Sequence, residues 1–326
     1  MTSTQTASST DGLTTHAQSR AALLGLITNH CGEDLSGWLV ERAQLLSSGF
    51  REAQSINDLV SKLGAQRLDV RRRSSKRYLV TAFAERERAT LLTPLGHISV
   101  GQWRRDEAAT VWLTAETLAS CLAPTEVYQV LYDVYDAADT EGRVDCLRAL
   151  NLLEGSVEDG LKIIHDAGRT YLNDLMEAGW CNNPFASTHL SDEEYRKALL
   201  KSLFCDVPVQ GFLELERRAD AELSRSLYEF ANEREAAGRV VPSAVLRVAA
   251  YYPQPGLIAR LIGRLEHPSI EERLTAAIGL ERARDERALS FVRERLSVED
   301  DPEVHAALTQ TESALTLMTS SEERSS

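Results

Sequence analysis

Thirteen residues, NNPFASTHLSDEE (182–194), separate two segments whose apolar residues recur at helical spacing. Pro184 disfavours the helical conformation for Asn183, so we expect the preceding helix to end there. Ser191 is followed three residues later by Glu194, which is the signature of a capping box at the start of a new helix. The stretch therefore predicts a connection between two helices that sets the angle between them.

Helical spacing continues from this connection in both directions, and strand alternation is not sustained anywhere. We expect Asp220 to cap a helix over 221–237, with Gly238 in the left-handed conformation after it. The other expected helices cover 21–29, 35–46, 56–63 and 78–92, one capped by Ser99, one beginning at Pro124, and a long one from Ser156 to about Gly179. The pattern predicts an all-α fold.

The C-terminal part contains a repeat with a period of 34 residues. Helix pairs of this period are typical of HEAT-type repeats, which bury their apolar faces by stacking. Pro268-Ser269-Ile270 recurs as Pro302-Glu303-Val304, Leu274 recurs as Leu308, and a second helix between them carries Leu289, Val292 and Leu296. We therefore predict an α-solenoid, with a helical domain over 19–242, HEAT-like repeats over 243–318, and disordered Ser-rich tails at 1–18 and 319–326.

Composition argues against several classes of partner. The formal net charge is −13, and an acidic surface repels phosphate backbones and anionic lipid, so we expect no general nucleic-acid binding. Five scattered cysteines without a Cys-x-x-Cys spacing favour reduced thiols in the cytoplasm. No apolar run approaches the roughly 20 residues that span a bilayer, and the N-terminus lacks the features of a signal peptide. We predict a soluble protein without a transmembrane segment.

The sequence carries no motif for catalysis or metal binding. Its seven histidines form no His-x-x-x-His or His-Glu-x-x-His pair, and it has neither a Gly-rich phosphate loop nor a G-x-S-x-G motif. Cys181 and His189, with Asp192 beyond, could approach a metal ion, and Cys181 could act as a nucleophile. The simpler interpretation is an inert thiol and a histidine that bonds to backbone. We therefore assign no catalytic residue, no metal and no cofactor.

Two groups of charges are candidates for binding. The first is a basic cluster that could hold an anion or could pair with the excess of acidic side chains in the same chain; it comprises Arg71, Arg72, Arg73, Lys76 and Arg77. The second alternates in sign at a helix junction and favours an internal ion-pair network over a ligand clamp; it comprises Glu216, Arg217, Arg218 and Asp220.

The region from about Trp103 to Pro242 resembles the EboA family of bacterial proteins. Weaker agreement comes from Trp103 with Asp106-Glu107-Ala108-Ala109 and from Tyr132 to Arg148, whereas Cys205-Asp206 and the N-terminal third depart from the pattern. The runs that carry the resemblance are NPFA (183–186), HL (189–190), ALLKSLF (198–204), VPV (207–209), LERRADAEL (215–223), YEFANER (228–234) and AAGRVVP (236–242).

This resemblance implies a biological setting and no established activity. EboA-like proteins are encoded beside a prenyltransferase, a sugar-phosphate-cyclase-like enzyme, a TatD-like hydrolase and a TIM-barrel protein, in clusters linked to secondary metabolites. We therefore expect a non-catalytic helical scaffold or adaptor that binds a cluster protein or a prenylated intermediate. Its candidate binding residues are Asn183, Phe185, His189, Glu216, Arg217, Arg218 and Asp220.

Two alternatives remain open at this point. One is an enzyme that acts on a cyclitol or prenyl-phosphate intermediate through His189, Glu216 and Arg217, with the arginines holding phosphate. The other is a HEAT-like nucleic-acid-binding protein that uses the basic residues of 71–77.

Overall fold

The structure, a computed structural model, describes residues 14–86 and 89–322. These residues are predominantly helical and contain a single two-stranded sheet, which confirms the all-α prediction. The chain divides between Leu213 and Glu214 into two compact units, each with its own buried residues. The α-solenoid arrangement stays a prediction. The disordered tails also stay a prediction, because residues 1–13 and 323–326 lie outside the described part of the chain.

The first unit is a set of helices with one antiparallel hairpin, in which Leu91 pairs with Ile98 and both side chains are buried. Short 3₁₀ helices occupy Leu150–Leu152 and Val209–Gly211. The other elements are α1 (His16–Cys31), α2 (Glu33–Ala53), α3 (Ile56–Arg73), α4 (Phe83–Arg86), β1 (Thr90–Thr93), β2 (Gly96–Ser99), α5 (Arg105–Cys121), α6 (Pro124–Asp136), α7 (Thr140–Ala149), α8 (Val157–Arg169), α9 (Asn173–Trp180), α10 (Pro184–His189) and α11 (Asp192–Phe204).

Helix α5 lies at the centre of this unit, where it packs against α1, α2, α3 and α7. Its residues from Asp106 to Ala115 are all buried, on every face of the helix. A helix buried on all sides is normally apolar throughout. Asp106 and Glu107 are the charged residues of this buried stretch, and these two carboxylates in the first turn mark the region where the candidate site lies.

Local start signals in the sequence correspond to helix starts in the structure. Ser191 and Glu194 form the predicted reciprocal capping box of α11, and Ser156 caps α8. Pro124 is the first residue of α6, where its missing N–H costs nothing. These predictions are confirmed because each depends on residues within one helical turn.

Three predictions about helices are wrong. Ser99 ends strand β2 and does not cap a helix, since α5 begins later, at Arg105. In the described residues of the segment 78–92, the helix is limited to the short α4, and the segment ends in the first strand of the hairpin. The long helix from Ser156 is broken into α8 and α9, because the Thr170 hydroxyl donates to the carbonyl of Ala167 and the Lys201 ammonium donates to the carbonyl of Thr170. These bonds satisfy carbonyls at the end of α8.

The connection at 182–194 contains a helix of its own, α10, between α9 and α11. The preceding helix ends at Trp180, before Asn183, as Pro184 predicts. Asn183 is the N-cap of α10, and its side chain accepts a hydrogen bond from the Ala186 N–H at 3.1 Å. The stretch is therefore a structured element with an internal cap.

The second unit is entirely helical within its described residues. As predicted, Asp220 caps its first helix, and Gly238 follows that helix with a φ of +67°. The side chain of Glu299 is fully buried and accepts hydrogen bonds from Arg273 and Arg295. The elements of the second unit are α12 (Ala221–Ala236), α13 (Ser243–Ala249), α14 (Leu257–Arg264), α15 (Ile270–Ala283), a 3₁₀ helix (Glu286–Ala288), α16 (Leu289–Leu296) and α17 (Pro302–Glu322).

The two copies of the 34-residue repeat begin α15 and α17, and both α15 and α16 pack against α17. The HEAT-like assignment of these helices stays a proposal. Across residues 14–86 and 89–322, none of the helices combines the length and the apolar character that a membrane crossing requires.

Candidate functional site

A cavity of about 380 Å³ lies within the first unit, between the end of β2, helices α7 and α9, and the segment 208–213. We call it the apolar chamber. Its apolar lining comes from Trp103, Ala178, Cys181, Pro208, Gly211 and Leu213, and its polar lining from Ser99, Gln102, Asn151, Asn182 and Gln210. The Asn182 amide fixes one wall, because it donates to the Ser99 carbonyl at 2.6 Å and accepts from the Ser99 N–H at 2.8 Å.

A second cavity, of about 250 Å³, adjoins the first, and we call it the charged chamber. Gln102, Arg148 and Glu177 line both chambers. The two cavities therefore form one cleft with a shared wall. The remaining lining of the charged chamber is Arg104, Glu107, Thr140, Glu141, Val144, Asp145 and Asp174.

Arg148 is the main side chain of the shared wall. Its guanidinium lies over the Trp103 ring, 5.1 Å from the ring centroid, and forms an ion pair with Glu107. The Glu107 carboxylate also accepts the backbone N–H of Arg104 at 3.0 Å, at the start of α5. Stacking on the Trp103 ring and the ion pair with Glu107 together hold Arg148 in place between the chambers.

Arg104 anchors the second side of the charged chamber. It donates twice to the buried Asp106, at 3.1 and 3.3 Å, and also lies 3.5 Å from a carboxylate oxygen of Glu141. A bidentate arginine–carboxylate pair is among the strongest side-chain contacts. The Arg104 charge is therefore already satisfied within the protein.

Asp145 is the most buried charge in the cleft, with only 2% of its surface exposed. Burial raises its pKa to about 6, although Arg67 and Arg71, at 3.1 and 3.2 Å, favour the ionised form. Arg67 is itself 95% buried, so this pair lies in the interior of the unit. Removing either partner would leave a buried charge without compensation.

Asp174 and Glu177 differ from the other carboxylates of the cleft. They lie three residues apart on α9, where they are exposed to solvent and line the charged chamber. Neither side chain has an ion pair or a hydrogen bond to any residue in the ranges 14–86 and 89–322. They are carboxylates that the described structure leaves available to a ligand.

The candidate residues from the 182–194 stretch serve the packing of the first unit. Asn183 is 1% exposed, and its amide donates to the carbonyls of Ala178 and Leu147. Phe185, also 1% exposed, contacts the rings of Tyr128 and His189 at centroid distances of 5.5 and 4.7 Å. Partial burial lowers the pKa of His189. None of the three lines the cleft.

The basic cluster at 71–77 is largely paired with acidic side chains of the same unit. Arg71 contacts Asp139, Glu141 and Asp145, and Lys76 contacts Glu141. The other members are arranged differently: Arg72 pairs with Asp69, Arg73 lies over the Trp38 ring at 4.8 Å, and Arg77 is exposed and accepts the Arg105 N–H through its carbonyl. These contacts match the intramolecular alternative more closely than a free anion site.

The remaining candidates belong to the second unit. Asp220 is an N-cap, and its side chain accepts the Leu223 N–H at 2.7 Å. Glu216 pairs with Arg282 and accepts from the Tyr251 hydroxyl at 3.4 Å. Arg217 pairs with Glu214. Arg218 also takes part in a polar or ring interaction. His189 and Glu216 therefore belong to different units of the chain.

Cys181 lines the apolar chamber as a buried thiol. Burial raises its pKa to about 12, and its Sγ lies 3.3 Å from the carbonyl oxygen of Pro208. A thiol with such a pKa is a poor nucleophile at neutral pH. In the described part of the chain, no three His, Cys, Asp or Glu side chains come together in a group that could hold a metal ion.

Another cavity of the first unit, of about 410 Å³, lies among α1, α2 and α5. Six of its thirteen lining residues are alanine or serine, Arg20 pairs with Glu116 at 2.8 Å, and Arg51 donates to the Ser120 carbonyl. Arg20 also donates to the carbonyl of Leu152. This cavity offers a ligand fewer uncommitted groups than the cleft does.

Sequence reasoning did not assign the lining of the cleft. Arg104, Asp145, Arg148, Asp174 and Glu177 come from three different segments, the start of α5, α7 and α9, and no short motif joins them. One signal was present, since Asp106 and Glu107 precede a run of apolar and small residues in α5. Charges on an otherwise fully buried helix indicate an internal partner or a site.

The fold and the cleft define the class of the protein: an all-α protein with a partly apolar, partly charged cavity of the size that takes small organic ligands. Residues 22–250 match the family model described as metabolite traffic protein EboA. Because this match covers more than half of the chain, the chain belongs to the EboA family, which confirms the resemblance seen in the sequence. Membership indicates a role in metabolite-related processes. No curated protein and no solved structure matches the chain.

Proposed function

We propose that this EboA-family protein is a non-catalytic helical scaffold or adaptor that binds a small-molecule intermediate in the cleft of its first unit. The observation that carries the proposal is the pair of adjoining chambers, of about 380 and 250 Å³, one largely apolar and one charged. A prenylated intermediate has the same division into an apolar body and a polar head. The cleft also lies within the segment that matches the family model.

The contacts within the cleft support binding over catalysis. Arg104 and Arg148 are held by buried carboxylates, and Cys181 has a raised pKa. A general acid or base needs a pKa near the operating pH and access to the substrate. Asp145, with a pKa of about 6, has its carboxylate engaged by Arg67 and Arg71. These groups are arranged to hold one another and to shape the cavity.

The proposal extends to location and partners. We propose a cytoplasmic protein that presents its bound intermediate to enzymes encoded in the same cluster, such as the prenyltransferase, the sugar-phosphate-cyclase-like enzyme or the TatD-like hydrolase. The resemblance to EboA supports these partners, and the cysteine usage supports the compartment. Pull-down experiments, with and without the intermediate, measure whether each purified enzyme binds this protein.

The experiment on binding compares two matched substitutions. Gln210 is exposed at the edge of the apolar chamber, so Gln210→Trp would obstruct the chamber without disturbing the core. Gln44→Trp is the control, because Gln44 is also exposed but lines the cavity among α1, α2 and α5. Each protein is purified from cells that carry the neighbouring genes, and the small molecules bound to it are extracted and identified by mass spectrometry.

We expect one compound to be recovered with the wild-type protein and with Gln44→Trp, at close to one molecule per chain, and to be lost with Gln210→Trp. If all three proteins yield equal amounts of the compound, the cleft is not its binding site. If the purified protein alone converts the identified compound into a product, the non-catalytic assignment is wrong.

A further inference from the structure

The charges around the cleft determine which ligand head the charged chamber accepts. We propose that the cleft binds amphipathic amines: a cationic ammonium head lies in the charged chamber and an apolar body fills the apolar chamber. This inference rests on the proposed binding function and adds the chemical class of the ligand. The cavity defines the site, and the charges within it decide only the sign of the head.

The two cationic side chains that line the charged chamber already have anionic partners. Arg148 is paired with Glu107 and stacked on Trp103. Arg104 is paired with Asp106 and lies near Glu141. Both guanidiniums therefore have carboxylate partners, and Asp106 and Glu107 are at least nine-tenths buried.

An anionic ligand head would have to break these pairs. A phosphate or carboxylate that approached Arg148 would compete with Glu107, and one that approached Arg104 would compete with Asp106. In either case a buried carboxylate would lose its counter-charge, which is costly. Of the five carboxylates that line the chamber, Glu107, Glu141 and Asp145 have cationic partners. The negative charge that remains without a partner comes from Asp174 and Glu177, and it repels an anion.

Two carboxylates of the charged chamber are available to bind a cationic head. Asp174 and Glu177 line the charged chamber and have no side-chain partner among residues 14–86 and 89–322. Glu177 also lines the apolar chamber, so its carboxylate lies where the two cavities meet. An ammonium group can donate three hydrogen bonds, and its hydrogen bonds to a carboxylate are stronger than those between neutral groups.

Together these features match one molecule with two parts. The apolar chamber, walled by Trp103, Pro208 and Leu213, takes the apolar body. The amine then reaches Glu177 at the junction and Asp174 one turn earlier on α9. Neutral polar contacts are available from Gln102, which lines both cavities.

The test uses three fluorescent probes that share the dansyl group and a five-carbon chain. Dansylcadaverine ends in an ammonium group, N-pentyl dansylamide ends in a methyl group, and dansyl-6-aminohexanoic acid ends in a carboxylate. Each is titrated into the full chain at pH 7.5 and low ionic strength, and dissociation constants are obtained from the change in dansyl emission. We expect the ammonium probe to bind about tenfold or more tightly than the neutral probe, and the carboxylate probe to bind most weakly.

Variants assign this preference to the two carboxylates. The double substitution Asp174→Asn with Glu177→Gln should reduce the affinity for dansylcadaverine to that of the neutral probe, and should leave the neutral probe unchanged. Both residues are exposed and unpaired in the described structure, so the substitution should not affect folding, which circular dichroism checks. Glu126→Gln on α6 is the matched control, because Glu126 is an exposed carboxylate that lines neither chamber. Added salt should reduce the preference for the ammonium probe, and millimolar inorganic phosphate should not compete.

The outcomes separate this inference from the proposed function. If the three probes bind equally and Gln210→Trp abolishes binding of all three, the cleft is a binding site and the amine preference is wrong. Tighter binding of the carboxylate probe, or a preference for the ammonium probe that survives the double substitution, also overturns the inference. If none of the probes binds, or if Gln210→Trp has no effect on binding, the proposed site itself fails.

Discussion

The amide of Asn183 is connected to the backbone at three points, so its removal should measurably destabilise the first unit. Its oxygen accepts the Ala186 N–H, and its nitrogen donates to the carbonyls of Ala178 and Leu147 at 2.9 and 3.4 Å. Loss of an N-cap costs about 0.5–2 kcal/mol, and leaving a buried carbonyl unsatisfied costs about 1–3 kcal/mol. Because the Leu147 contact is long, we expect Asn183→Ala to lower the free energy of unfolding by about 2–4 kcal/mol.

Two further substitutions at this position separate the contributions. Asn183→Ser keeps an acceptor for the cap and loses the donor, so it should cost about half as much as Asn183→Ala. Asn183→Asp keeps the cap but places a carboxylate against two carbonyl oxygens, so it should cost at least as much as Asn183→Ala. Asn29→Ala, at an exposed position of α1, is the control and should change the free energy of unfolding by no more than about 0.5 kcal/mol.

The assay is urea unfolding followed by tryptophan fluorescence. This signal reports on the first unit alone, because all four tryptophans, at positions 38, 103, 112 and 180, precede the division at Leu213. The free energy of unfolding is obtained by linear extrapolation. A stability of Asn183→Asp equal to that of the wild type would refute the structural role of this amide, and would return Asn183 to the set of candidate ligand-binding residues.

The other predictions concern packing and charge, and thermal unfolding followed by circular dichroism measures each of them. Gly160→Ala should destabilise the protein by about 1–2 kcal/mol, because the new Cβ would lie 2.4 Å from a Phe185 ring carbon, whereas Gly64→Ala, in open space on α3, should stabilise it by about 0.5–1 kcal/mol. Equal effects of these two substitutions would contradict the packing of Phe185 on α8. Glu299→Gln should cost about 2–3 kcal/mol, since it weakens the contacts of a buried carboxylate with Arg273. Hydrogen bonds to the carboxylate, chiefly from Arg273, lower the pKa of Glu299 from 4.5 to about 2, so its contribution is complete above about pH 4.5 and is lost as the pH falls through 2. The Glu299→Gln protein should lack this component of acid sensitivity, and an unchanged acid profile would argue against the pair.

Sequence reasoning succeeded where neighbouring residues control structure. The caps at Ser156, Ser191 and Asp220 and the helix start at Pro124 each depend on a few consecutive residues. It failed at the hairpin, because Leu91 and Ile98 become buried only through contacts with the rest of the unit.

The candidate site could not be predicted for a related reason. Its chambers draw on residues from Ser99 to Leu213, which only the fold brings together. In the basic cluster, the charges were visible in the sequence, but the partners of Arg71 lie 68 to 74 residues away along the chain. Tertiary pairing of this kind leaves no local pattern.

Glu107 performs two tasks with one carboxylate. It secures the first turn of α5 through the Arg104 N–H, and it holds the Arg148 guanidinium in the wall between the chambers. A ligand that displaced Glu107 from Arg148 would therefore disturb the start of the helix that runs through the middle of the unit, whereas an amine held by Asp174 and Glu177 would leave that pair intact. Hydrogen–deuterium exchange along the first two turns of α5 would then distinguish these two modes of binding.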